Sequence, residues 1–152
     1  MIECMEPIQT IDVIRDMGFI HQIKWDGIRG VAVIEEGRLR LYNKSGIEST
    51  GKYPELGMLP QCIHAGHAVL DGEIVSLVNG KPSFYHVLRR SLSKGSIAAS
   101  LYPVQYVVFD LIFLNHRCVD VRHAAKRRRI SRACPKTARR HPAFPVTVHS
   151  TE

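Results

Sequence analysis

Gln22-Ile23-Lys24-Trp25-Asp26-Gly27-Ile28-Arg29 places a lysine, a carboxylate, a glycine and an arginine close together, directly after an apolar run. Phe19, Ile20 and Ile23 precede the lysine, and Val31 and Val33 alternate after the arginine. Strands are therefore expected on both sides, the first over residues 19–25. Asp-Gly is a turn dipeptide, with Gly27 expected to take the positive φ that other residues resist. Lys24 then stands at the end of a strand, with Asp26 and Arg29 set around the following turn. Such an arrangement suits covalent chemistry on a phosphate. A lysine amine is nucleophilic only when neutral, and neighbouring cations, a metal or desolvation lower its pKa. Arg29 offers a planar fork of donors for phosphate oxygens.

Three later segments add to this one. Asn43-Lys44-Ser45-Gly46 is followed by Tyr53-Pro54-Glu55-Leu56; then come Leu70-Asp71-Gly72-Glu73-Ile74-Val75 and Tyr106-Val107-Val108-Phe109-Asp110-Leu111. Together, and in this order over residues 5 to about 115, they resemble the ATP-dependent DNA ligases and their relatives, the RNA ligases and mRNA-capping enzymes. Lys24-x-Asp-Gly-x-Arg29 is similar to that superfamily's nucleotidyl-lysine motif, residues 71–73 to its Asp-Gly-Glu strand, and Phe109 to the phenylalanine that stacks on adenine. The Tyr-Pro-Glu-Leu segment and the Phe-Asp strand lean towards the DNA ligases. The resemblance implies an α+β, ATP-grasp-like adenylation domain with antiparallel-rich sheets and the nucleotide between them.

It also implies roles. Lys24 would attack the α-phosphate of ATP and hold AMP. Gln22 stands where the family contacts the adenine edge, and Ile23 would offer its backbone to the base. Arg29 would touch the ribose or the terminal phosphates, Lys44 would replace the family's usual arginine, and Glu73 would reach the ribose hydroxyl or a Mg²⁺ ion. Phe109 would stack on adenine, although packing in an apolar strand also accounts for it. Asp26 is expected to organise the turn. The implied partners are ATP, nicked double-stranded DNA and a DNA-repair protein, in repair, replication or recombination. Two later family motifs, a Glu-Gly strand and a lysine-bearing strand, do not follow Phe109, and neither does the family's OB-fold domain. The adenylation domain is thus expected to be incomplete and truncated at its C-terminal side, and full nick sealing by this chain alone is not expected.

Composition sets the outer limits. A chain of 152 residues with 45% hydrophobic content has room for one real core. No apolar run reaches the roughly 18 residues of a membrane span, and no signal-peptide pattern opens the chain. A cytoplasmic protein, associated with the nucleoid in a bacterium, is expected. Cys4, Cys62, Cys118 and Cys134 have no metal-binding spacing and are read as reduced thiols. His64 and His67 are placed in a surface loop after Pro60. The net charge of +7 is uneven: residues 121–152 carry nine lysines and arginines against Glu152 alone, while residues 1–120 carry twelve against thirteen acids. The high isoelectric point therefore says nothing about the first 120 residues.

The remaining pattern gives the elements. Met5-Glu6-Pro7-Ile8 is extended, similar to a ligase lead-in, and residues 10–17 form a short helix ended by Gly18. Residues 29–35 and 38–43 make a hairpin turned by Glu36-Gly37, and residues 54–60 a short helical turn. Residues 68–78 form a strand before the Asn79-Gly80 turn. Residues 84–92 form a helix with Phe84, Val87, Leu88 and Leu92 inward and Arg89-Arg90 outward. Residues 104–114 make a strand buried on both faces. Residues 1–120 are thus a partial adenylation domain, and residues 121–152 a basic tail, disordered or aberrant. The tail reads either as an arm that binds nucleic-acid phosphates or, preferred because it begins where the later motifs should follow, as the product of a frameshift or premature stop. A non-catalytic nucleic-acid-binding protein with a degenerate core, an RNA ligase or capping-type enzyme, and an aggregating gene fragment are the competing readings.

Overall fold

The computed structural model describes residues 23–63, 65–93 and 96–115, and the strand backbone at 117–118 and 146–148. The expected lead-in over residues 5–8, the helix over 10–17, Gln22 and His64 lie outside the described residues.

A mainly antiparallel sheet organises everything else. Its strands are β1 (Ile28–Glu35), β2 (Arg38–Asn43), β3 (His67–Val75), β6 (Gln105–Leu114) and β7 (Arg117–Cys118), in the order β2-β1-β3-β6-β7. Strand β8 (Val146–Val148), in the basic tail, pairs in parallel with Tyr106–Val108 of β6. The β1–β2 hairpin closes as expected, with Glu35 opposite Arg38. Glu36 and Gly37 take φ of 49° and 75°. Two successive left-handed residues make the turn whose twist matches that of the flanking strands.

Alternation then separates two faces. Ala32, Ile34, Leu41, Ala68 and Leu70 are almost completely buried on one of them. They are joined there by Tyr53 and by Leu56 of the 3-10 helix Pro54–Met58, by Leu59 and Cys62 of α1 (Leu59–Cys62), and by Val87 of α2 (Phe84–Leu92). Burying each large aliphatic side chain contributes about 1.5–3 kcal/mol. Burial also pushes the Cys62 thiol up. The helical turn expected over 54–60 runs on to Cys62. His67 is not in a loop: it opens β3, its ring 4.6 Å from that of Phe113 and its Nε2 3.5 Å from Glu35 Oε1.

The strand expected over 68–78 breaks at Ser76. The Ser76 hydroxyl donates to the Pro103 carbonyl at 2.8 Å, and its own carbonyl accepts from the Ser83 amide. The chain beyond forms a separate hairpin, β4 (Leu77–Val78) and β5 (Lys81–Pro82). Ser83 caps α2 by accepting from the His86 amide. A short α3 (Ser96–Leu101) leads into β6.

The inner face of α2 differs from the expected one. Arg90 and Val87 are buried, whereas Phe84, Leu88 and Leu92, expected inward, are exposed. Arg90 turns inward because a partner waits there. Its Nη2 donates to Glu55 Oε2 at 3.0 Å, and its guanidinium lies 5.5 Å from the Tyr53 ring. Periodicity counts apolar side chains and cannot see an ion pair made across 35 residues of sequence.

Candidate nucleotide site

The opposite face of the sheet carries the charged motif residues. Register explains why. Arg29 of β1 stands opposite Glu73 of β3, and Val31 stands opposite Asp71. Arg29 and Asp71 are therefore diagonal neighbours on one face, within reach of long side chains. Arg29 Nε donates to Asp71 Oδ1 at 3.0 Å and Nη2 to Oδ2 at 2.5 Å. The pair is bidentate, and the carboxylate is almost fully buried. Arg29 is thus not on a turn but inside β1, with much of its donor fork spent on Asp71, a residue that the motif reading left unassigned. Asp71→Asn keeps the shape but weakens the acceptor, and is expected to lower the unfolding free energy by about 2 kcal/mol. The denaturant midpoint measures this.

Between β3 and β6 the register shifts after Asp71. Asp71 pairs with Asp110 and Gly72 with Val108, so Phe109 is the extra residue of a bulge. Bulges re-aim side chains next to functional sites. The Phe109 ring here is partly exposed and lies 5.7 Å from the Arg29 guanidinium carbon. Phe109 is not a plain core residue of β6.

Residues 23–26 form no strand, and Lys24 is exposed on an irregular segment just before β1. Ile23 and Asp26 are exposed beside it. Gly27 does not have positive φ. What requires glycine there is proximity: an added Cβ would sit 2.3 Å from the Ile74 carbonyl oxygen and 2.9 Å from Glu73 Cγ. The segment lies flat on β3, and this brings Lys24 to Glu73.

Glu73 joins these parts. Burial pushes its carboxyl above the ordinary value of 4.5, and Asp71 adds to the rise. The charges of Arg29 and Lys24 and a hydrogen bond from the Gly27 amide pull it back. The folded chain therefore holds this proton more tightly than the unfolded chain does. Stability from this group is fully present below about 4.5 and is lost as pH rises through the folded pKa. Glu73→Gln should be stabilising relative to wild type near neutral pH, and the gain should shrink as pH falls towards 4. Urea unfolding of both proteins across that range gives the difference directly.

Lys44 is exposed in the turn after β2. Asn43 pairs with Gly30, so this turn is at the same end of the sheet as Lys24 and Arg29. The structure thus gathers Lys24, Arg29, Glu73 and Phe109, adds Asp71, and sets Lys44 at their rim.

The family model described as "ATP dependent DNA ligase domain" matches residues 3–145. The multifunctional non-homologous end joining protein LigD of Mycolicibacterium smegmatis is 33% identical over 111 residues, covering 72% of this chain and 14% of that protein. The SPbeta prophage-derived DNA ligase-like protein LigB of Bacillus subtilis is 34% identical over 116 residues, covering 76% of this chain and 40% of that one. The solved structure of mycobacterial DNA ligase D complexed with ATP and MES superposes with a TM-score of 0.57 at 30% identity, over 73% of this chain and 36% of that chain. The chain spans well under half the length of these relatives. With an α+β architecture and matching motifs over most of its residues, it belongs to the ATP-dependent DNA ligase domain family.

Proposed function

We propose that this chain performs lysine adenylation, the first step of ATP-dependent DNA ligation. The observation that carries the reading is the convergence of Lys24, Arg29, Glu73 and Phe109 at one end of one sheet face, with the nucleophile exposed. Neutral Lys24 Nζ attacks the α-phosphorus of ATP. A P–N bond forms, the bond to pyrophosphate breaks, and the amine gives up a proton. Phe109 offers a face for adenine, Gln22 and Ile23 its edge contacts, and Arg29 and Lys44 charge for ribose or phosphates. In the complete ligation reaction AMP then passes to the 5′-phosphate of nicked double-stranded DNA, and the adjacent 3′-hydroxyl displaces it. Storing the activated phosphate on lysine divides one difficult displacement into easier ones.

Mg²⁺ fits this site as an ion shared with substrate. Among the described residues no group of three or more His, Cys, Asp or Glu side chains could hold a metal. Asp71 is engaged by Arg29, whereas Glu73 is a carboxylate close enough to Lys24 to feel its charge. Mg²⁺ commonly binds through one or two carboxylates and the phosphates of its substrate, and would supply charge neutralisation during displacement. The remainder of the reading is a DNA-repair role with a repair partner, action in the cytoplasm near the nucleoid, and residues 1–120 as adenylation domain with residues 121–152 as basic tail. No helix among the described residues is long and apolar enough to cross a membrane.

The deciding experiment incubates the chain with ATP and Mg²⁺ and measures intact mass. An AMP adduct, stable to base, labile to acid and mapped to the peptide bearing Lys24, is the expected result. A folded chain that binds no ATP and gains no mass would overturn the reading.

A further inference from the structure

We infer that Asn43 is a positioning residue that holds Lys44 at the nucleotide site. The inference rests on the adenylation reading, in which Lys44 meets the nucleotide. Asn43 ends β2 opposite Gly30, the neighbour of Arg29. From there it makes four hydrogen bonds within a five-residue turn. Its Oδ1 accepts from the amides of Ser45 at 3.0 Å and Ile47 at 2.8 Å. Its carbonyl accepts from Gly46 at 2.9 Å, and its amide donates to the Ile47 carbonyl at 3.0 Å.

Burial does not hold this turn. Lys44, Ser45, Gly46 and Ile47 are all exposed, and the Ile47 side chain points to water. The next segment is fastened separately: Tyr42 bridges Glu48, Ser49 donates to the Leu41 carbonyl, and the Leu41 amide donates to Thr50 Oγ1. The four residues after Asn43 are therefore held by two backbone hydrogen bonds and by one carboxamide that supplies the other two. An Asx-type side chain competes well for nearby amides, which is why it closes such turns. A lysine on a loose turn must lose backbone freedom as well as its own rotamers when it meets a phosphate, and Asn43 has removed the backbone part in advance. Lys44 lacks the rigid fork of an arginine, so it gains more from a fixed base.

The test measures single-turnover formation of the Lys24–AMP adduct over a range of ATP concentrations. It compares wild type, Asn43→Ala, Asn43→Asp, Lys44→Ala and the Asn43→Ala/Lys44→Ala double variant. Lys44→Ala should raise the ATP concentration for half-maximal rate about tenfold, as expected for one charge-assisted hydrogen bond. Asn43→Ala should give a smaller rise of the same kind. Asn43→Asp keeps the acceptor oxygen for both amides and should remain near wild type. In the Lys44→Ala background, Asn43→Ala should add nothing, since it acts through the missing side chain. An equal penalty with and without Lys44 would make Asn43 merely structural and overturn the inference, as would a wild-type response of Asn43→Ala. Should wild type form no adduct at all, the adenylation reading fails and this inference with it.

Discussion

Lys24→Ala is expected to abolish the AMP adduct outright, with a loss on the order of 10⁶ or more in the rate of lysine adenylation, the scale seen when a covalent nucleophile is removed. Lys24→Arg should fare no better, although it keeps the charge. An arginine stays protonated in proteins and has no lone pair to offer phosphorus. Lys44 is no substitute. It is held on a turn after β2, whereas the segment carrying Lys24 is pressed on β3 by the close approach of Gly27 to Ile74. A nucleophile must reach the phosphorus in line. Intact-mass and radiolabel assays on the three proteins check this. Lys24 is exposed, so Lys24→Arg, which keeps the charge beside Glu73, should unfold at the wild-type denaturant concentration, and Lys24→Ala only slightly below it. An adduct that persists in Lys24→Ala would move the nucleophile elsewhere.

Gly72→Ala is expected to be the most damaging small substitution in the sheet. An added Cβ would lie 2.5 Å from the Val107 carbonyl oxygen and 2.7 Å from Tyr106 Cζ. Neither neighbour can yield cheaply. Val107 is strand backbone, and Tyr106 is fully buried, its hydroxyl 2.8 Å from the Gly30 carbonyl and 3.1 Å from that of Leu70. Over-packing of this kind costs about 1–3 kcal/mol and sometimes more. The upper end is expected, because backbone must move and a buried hydroxyl risks losing its acceptors. Against a total stability of about 5–15 kcal/mol, soluble yield should fall sharply. Tyr106→Leu in the same chain should restore only part of the stability, since the Val107 carbonyl still crowds the new methyl. Chemical unfolding of the single and double variants measures both terms.

Gly72 also shows how one motif serves two faces. Asp71 and Glu73 project towards the nucleotide site, and Gly72 between them makes room for Tyr106 on the core side. The spacing Asp-Gly-Glu is therefore a strand alternation with chemistry on one side and packing on the other.

Local sequence determined a good deal of this protein. Gly37 and Asn79-Gly80 specify their turns because glycine and asparagine readily adopt left-handed φ, and Glu36 is drawn into that region by the turn that Gly37 closes. The runs 29–35, 38–43 and 104–114 specify strands through alternating or continuous apolar residues, and helical spacing over 84–92 specifies α2. Motif order identified the family and put Lys24, Arg29, Glu73 and Phe109 on one list. Tertiary structure decided the rest, because it depends on partners distant in the chain. The need for glycine at position 27 comes from a strand 47 residues away, not from its own φ. Arg29 is bound by Asp71 because sheet register makes them diagonal neighbours, and Phe109 turns to the site because β6 bulges against β3. Arg90 is buried because Glu55 and Tyr53 receive it. Periodicity and local propensity see only neighbours along the chain, whereas register, close approach and buried charge pairs exist only once the strands have met.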